Sequence, residues 1–188
     1  MARPIAKKYA IISSALKLFA QKGVKGTTTR DIASSSHSAE GLIYRYFKSK
    51  EELALKIFAQ CLIEFADFLK AEAGKGESPE EKLGKTIEAF FRFAKEKPLA
   101  YEYVILGHER EFKKLPEPIF LPKDVFVDII QEGIRKGVFK KRDENLAAAM
   151  VIGMAIRVQF FIKNKISKVP EKKGIEEIIK SALQILKK

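Results

Sequence analysis

Positions 41 to 50 read GLIYRYFKSK: two tyrosines, a phenylalanine, an arginine and two lysines behind a glycine. Cations and phenol hydroxyls crowded this closely suit phosphate oxygens, since the charge attracts the anion and the N–H and O–H groups donate to it. Gly41 carries no side chain, so a partner's backbone can come close there. Nothing else in the chain is as well matched to a chemistry. The GKT at 84–86 lacks the earlier glycine of a phosphate-binding loop, because Pro79 stands in its place. His37 and His108 fit no metal-ligand spacing, and no Gly-x-Ser-x-Gly elbow occurs. No catalytic residue, metal or cofactor is therefore expected.

The charge is distributed unevenly. Residues 1–50 hold ten Lys or Arg against two acids, whereas residues 51–188 hold 26 against 22. A basic first quarter beside a near-balanced remainder points to a polyanion partner for the first part only. Lysine-rich surfaces that serve solubility alone would give the same count. With 46% hydrophobic residues and 14 Phe, the 188 residues can build a real core in one or two domains. Cys61 is the only cysteine, so no intramolecular disulfide can form, and a reducing, cytoplasmic location is expected. The first residues show no long apolar run, so no signal peptide is expected. The longest apolar run, 146–156, is too short to span a bilayer, and no membrane partner is expected.

Periods near 3.6 dominate the chain, and nine helices are expected. The first runs from about Pro4 to Lys22, with Ile5, Ile12, Ala15, Leu16 and Phe19 on one stripe. Thr28 can cap the second, with Asp31 as the partner of a capping box. The stretch from 39 to 53 supplies the third, and a long fourth ends before GKGESP, the best domain boundary. The segment 99–115 reads as one helix after the break at Pro98. The helix at 143–166 is apolar nearly all round and must be buried on most sides. Ala147, Ala148, Ala149 and Gly153 would let a neighbour approach it closely. It and the helix at 171–187 could cover each other or pair with a second copy; few polar faces remain to meet water, which favours the second and makes a homodimer the expected assembly.

Two short helices with a tight turn between them form a helix-turn-helix by spacing. Ile32 and Ala33 in the first, and Ile43 and Phe47 in the second, face inward. In such a unit the second helix enters the major groove of DNA. That leaves Tyr44, Arg45, Lys48 and Lys50 to meet phosphates or base edges. An amphipathic helix with a cationic solvent face is the alternative reading.

TTTRDIASSSHSAEGLIYRYFKSKEEL, within a match over residues 5 to 55, resembles the helix-turn-helix of the TetR family of transcriptional regulators. Thr28, Ile32, Ala33, Gly41, Ile43, Tyr44, Tyr46, Phe47, Lys50, Glu51 and Leu53 carry the likeness. It implies phosphate contacts at Thr28, Tyr44 and Lys50. It also implies base contact or approach at Arg30, Glu40, Leu42 and Arg45, with Gly41 allowing close approach and Ala39 a further DNA-facing position. Arg30 could instead pair with Asp31 or Glu52. Departures from the pattern fall at the turn and just after it. His37 stands where glycine would take positive φ freely, at some cost to itself. Ser38 replaces an apolar residue. Glu40 repels phosphate but could accept from a cytosine amino group, and Leu42 could touch a thymine methyl.

The resemblance implies an all-α protein with a DNA-binding domain at 1–50, a connecting helix at 51–74 and an effector-binding and dimerisation domain at 75–188. It further implies a sequence-specific regulator, a repressor that leaves a palindromic operator in double-stranded DNA when a small-molecule effector binds. Phe90, Phe91, Phe93, Tyr101, Tyr103, Phe112, Phe120, Phe126, Phe160 and Phe161 give this region a roomy aromatic interior. Arg157 reads as a buried charge needing a partner: Glu102, Glu109, or an anionic group on an apolar effector. An architectural DNA binder, or a helical lipid carrier or enzyme with an incidental basic face, would be the rival functions.

Overall fold

The computed structural model describes residues 2–105, 114–115 and 119–187. The described residues form nine helices and no strand: α1 Ala2–Lys22, α2 Thr29–Ser35, α3 Glu40–Tyr46, α4 Lys50–Ala73, α5 Pro79–Glu96, α6 Pro98–Ile105, α7 Pro122–Arg135, α8 Glu144–Lys163 and α9 Glu171–Leu186. A single antiparallel bridge, Phe139 to Lys187, is the extended pairing present. The helices gather into two units. One holds α1–α3, the first half of α4 and α6; the other holds the rest of α4 with α5 and α7–α9.

In the first unit α1 packs on α2 and α6, and α2 on α3. Ile11, Ala15 and Phe19 of α1 are buried at four-residue spacing, together with Ile32, Ile43, Phe47 and Phe58. Ile5, placed on the buried stripe by its spacing, is exposed in the first turns. Tyr103 of α6 stacks on Phe19 with ring centroids 6.0 Å apart. It meets Phe58 edge-on at 5.8 Å, and its hydroxyl donates to the Ala54 carbonyl at 3.1 Å. Tyr101 and Tyr103 thus belong to this unit, because the short helix after Pro98 is apolar on most sides and folds back on α1. Burial pushes the Tyr101 phenol well above its usual range. Phe112, His108 and Glu109 lie outside the described residues.

The second unit is organised around α5, which has one apolar face and buries nine residues, Phe90, Phe91 and Phe93 among them. It packs against α7, α8 and α9. Phe65 of α4 stacks on Phe93 at 4.3 Å and leans on Phe90 at 5.3 Å. Gly133 of α7 is required by contact: a Cβ there would lie 2.1 Å from the Phe139 ring. Lys82 of α5 and Lys136 at the C-cap of α7 both reach Glu132, each at 2.7 Å.

α8 corrects one expectation. Apolar nearly all round, it was to be buried on most sides, yet within the chain only Ala147, Ala148, Val151 and Ala155 are. Leu146, Met150, Phe160 and Phe161 are exposed, and Ala149 and Gly153 lie open among them. Over its full 20 residues α8 is apolar enough to cross a membrane by length and composition. Its packing on α5, α7 and α9 covers one side and leaves the other bare.

Candidate nucleic-acid interface

The interface is built from α2 outward. Thr28 is extended, with φ −99° and ψ 160°, and its hydroxyl accepts from the Asp31 N–H at 3.0 Å. The Asp31 carboxylate accepts in return from the Thr28 N–H at 2.9 Å. This is the expected capping box, and caps of this kind contribute roughly 0.5–2 kcal/mol. The backbone and side-chain hydrogen bonds from Thr28 hold the Asp31 carboxyl below its ordinary range. Ile32 and Ala33 bury the opposite face of α2.

The turn then reverses sharply. The Ser36 N–H donates to the Ile32 carbonyl at 2.9 Å and the Ser38 N–H to Ala33 at 2.9 Å. His37 takes φ +48°, the conformation that its glycine-like position demands. Ser38, where an apolar residue was expected, satisfies its hydroxyl on the Ser36 carbonyl at 3.2 Å. Lys7 of α1 donates to the His37 carbonyl at 2.9 Å, a tie that the sequence reading missed. Only a long-range contact signals it.

α3 is shorter than the aromatic stretch suggested and ends at Tyr46, because Phe47 turns extended with φ −139° and ψ 133°. Ile43 and Phe47 are buried and fix the helix to its support. Gly41, Tyr44, Arg45 and Lys48 are exposed. A Cβ at Gly41 would meet nothing within 4 Å, so the surface there is open. The Arg30 side chain is 90% exposed, and its Nε lies 4.0 Å from Glu40; Asp31 accepts instead from Thr28, and Glu52 from the Lys48 N–H and Lys56. Thr29, overlooked beside its capping neighbour, donates through Oγ1 to Glu40 Oε1 at 2.5 Å. Tyr44 brings its hydroxyl within 3.4 Å of Thr29 Oγ1. Ala39 is exposed at the cap of α3, and Leu42 is half-buried. Lys50 opens α4 and donates to the carbonyl of buried Thr27 at 2.7 Å, so it also ties α4 to the loop before α2. Thr29 thus links Arg30, Glu40 and Tyr44 into one set, with Arg45 exposed next to Tyr44 in α3.

The described residues expected to line an effector site divide between the two units. Phe90, Phe91, Phe93 and Phe126 are buried in the second unit, while Tyr101 and Tyr103 are in the first. Phe120 is exposed, with the Lys70 ammonium 5.2 Å from its ring centre. Arg157 is not the buried charge that its apolar surroundings suggested. It is exposed, its guanidinium 5.2 Å from the Phe160 ring centre and 5.6 Å from Phe161. The bare side of α8 explains this: apolar neighbours in sequence are not buried neighbours here. Arg157 and Phe161 do share a cleft of about 500 Å³ with Met154, Val158, Ile162 and Ile178. Among the described residues no group of three or more His, Cys, Asp or Glu could hold a metal.

Comparison with known proteins agrees with this geometry. The family of bacterial regulatory proteins named tetR matches residues 11–57. The HTH-type transcriptional repressor KstR2 of Mycolicibacterium smegmatis is 30% identical over 148 residues, covering 73% of this chain and 70% of that protein. The fatty acid metabolism regulator protein of Bacillus subtilis is 26% identical over 152 residues, covering 78% of each. The crystal structure of FadR from Bacillus subtilis, solved with stearoyl-CoA, aligns with a TM-score of 0.74 at 21% identity, covering 95% of this chain and 96% of that one. All three are named as regulators. Capping box, turn, recognition helix and likeness agree: the chain belongs to the TetR family, an all-helical DNA-binding transcriptional regulator with an N-terminal helix-turn-helix domain and a helical C-terminal domain.

Proposed function

We propose that this regulator is a homodimeric repressor, acting in the cytoplasm, that grips a palindromic operator through α2 and α3 and leaves it when an apolar anion binds. The exposed face of Arg30, Glu40, Tyr44 and Arg45 beside open Gly41 is the observation that carries the reading. Thr28, Tyr44 and Lys48 are assigned to phosphates, which position the protein, while Lys50, on the Thr27 carbonyl, borders that set. Arg30, Glu40, Leu42 and Arg45 are assigned to base edges, which specify the site. Ala39 and Gly41 let the backbone approach. Two copies would set their recognition helices in major grooves about 34–36 Å apart, or a multiple of that.

The bare stripe of Leu146, Met150, Gly153 and Phe160 on α8 supports the dimer, since apolar surface of this extent gains by being covered. The cleft of about 500 Å³ has the size and lining of a small-molecule site, and Arg157 supplies a cation at it. A relative named for fatty acid metabolism supports a long-chain acyl compound as the effector class. Release requires that the effector bind one arrangement of the dimer better than the other. Moving the equilibrium from 99:1 to 1:99 takes about a 10⁴-fold difference in affinity.

Anisotropy of a labelled duplex obtained by selection tests this. Long-chain acyl-CoA or fatty acid should release the duplex, and Arg157→Met should weaken that response while the dimer still binds DNA. Retention of the duplex in the presence of every such anion would overturn the effector assignment. A one-monomer complex on the palindrome would overturn the dimer.

A further inference from the structure

Glu40 is out of place on a surface meant for a polyanion. Residues 1–50 contain two acids, and the other, Asp31, is engaged in the capping box. Glu40 is not loose either. Its Oε1 accepts from Thr29 Oγ1 at 2.5 Å, and its Oε2 lies 4.0 Å from Arg30 Nε. Thr29 has one hydroxyl hydrogen and gives it to the carboxylate, so Tyr44 must be the donor in its 3.4 Å contact with Thr29. With the Arg30 side chain 90% and that of Glu40 40% exposed, the ion pair adds little stability. Its value must lie elsewhere.

A carboxylate only accepts hydrogen bonds. In the major groove the donors are the cytosine N4 and adenine N6 amino groups, while guanine O6 and N7 and thymine O4 repel it. Adenine also presents N7 beside its amino group, which disfavours a second acceptor, so cytosine is the better match. Arg30, held near Glu40 through Nε, keeps its two terminal nitrogens free to face guanine O6 and N7. Resting on the DNA-binding reading above, we propose that Thr29, Glu40 and Arg30 form one specificity element: Glu40 selects cytosine at one position of each half-site and orients Arg30 onto a neighbouring guanine. The carboxylate gains this selectivity at the expense of general affinity, because it also repels phosphates.

Selection from a randomised duplex pool, with wild type, Glu40→Gln, Glu40→Ala and Arg30→Ala, tests the assignment. Wild type should enrich cytosine at one position per half-site. Glu40→Ala should lose that preference by roughly tenfold or more, leave positions away from the C and G steps unchanged, and bind random duplex more tightly. Glu40→Gln should move the preference to adenine, which an amide reads through N6 and N7. Arg30→Ala should relax the guanine. A purely structural Glu40 would keep its wild-type consensus as Gln, since the amide oxygen still accepts from Thr29. An unchanged consensus in Glu40→Gln and Glu40→Ala therefore overturns the proposal while the DNA-binding reading stands. Failure of wild type to enrich any sequence overturns both.

Discussion

Two faces of this protein are exposed, and they invite opposite partners. The α2–α3 face is polar: Arg30, Glu40, Tyr44 and Arg45 stand in solvent on a frame fixed by local hydrogen bonds. The exposed face of α8 is largely apolar: Leu146, Met150, Gly153 and Phe160 follow each other at helical spacing, each exposed. Attraction of the first for its partner falls as salt rises, through counterion release. Attraction of the second is hydrophobic and persists in salt. Exposure alone does not say what a surface is for; the chemistry of what is exposed does.

The sharpest break in that comparison comes from Gly153→Glu. Among the described residues nothing lies within 4 Å of a Cβ at Gly153, so a side chain can start there without a clash. It should even favour the helix by up to about 1 kcal/mol, because glycine is a poor helix former. Across a dimer interface the glutamate charge would be desolvated among Leu146, Met150 and Phe160, and Arg157 one turn on would have to leave the Phe160 and Phe161 rings to pair with it. The variant should therefore fold with a Tm no lower than that of dissociated wild type, sediment as a monomer and lose palindrome binding by 100-fold or more, as about 3 kcal/mol at an interface implies. A Gly153→Glu dimer as tight as wild type would mean that α8 is not the interface.

Much of the α2–α3 face was legible in the sequence because its geometry is local. Thr28 with Asp31, the inward pair Ile43 and Phe47, and the strained turn at His37 all act over a few residues. Contacts across distance were not legible. Thr29 reaches Glu40 eleven residues on, Lys7 reaches His37, and Lys50 reaches back to Thr27. The aromatic residues after 90 misled for a different reason. Composition counts rings but does not say which stack into a core, as Phe65 does on Phe93, or which return to another unit, as Tyr103 does onto Phe19. Arg157 was misjudged because a run of apolar neighbours implied burial that α8 does not have.

The ionic network of the second unit offers a more moderate effect, one that contrasts with the exposed Arg30–Glu40 pair. Hydrogen bonds from Lys136 and Lys82 bring the Glu132 carboxyl down from 4.5 to about 2. A carboxyl depressed on folding contributes stability that is complete above its unfolded pKa and is lost as pH falls toward the folded one. Glu132→Gln should thus lower Tm by a few degrees near about pH 6, and the gap to wild type should close between pH 4.5 and about 2. Glu40→Gln should leave Tm nearly unmoved, as an exposed pair does. Equal Tm profiles for wild type and Glu132→Gln would show that the bridge from α5 to α7 adds nothing.

The smallest effect distinguishes two lysines that sequence placed together. Lys48 is exposed, whereas Lys50 is half-buried with its ammonium 2.7 Å from the Thr27 carbonyl. Lys48→Ala should remove one phosphate contact from each subunit. Binding should weaken equally on operator and random duplex, Tm should hold, and the slope of log affinity against log salt should flatten by about 1.8 for the dimer, about 0.9 for each subunit's lost contact. Lys50→Ala should also lower Tm, because the Thr27 carbonyl loses a charged donor and α4 its tie to the loop before α2. Its slope should flatten by less than that of Lys48→Ala if the ammonium stays on Thr27 when DNA is bound, for a counterion is released only where a phosphate is neutralised. Salt titrations of both variants on one duplex, with melting curves beside them, decide the matter. A full change of slope in Lys50→Ala at unchanged Tm would mean that Lys50 leaves Thr27 for a phosphate and serves the polar face alone.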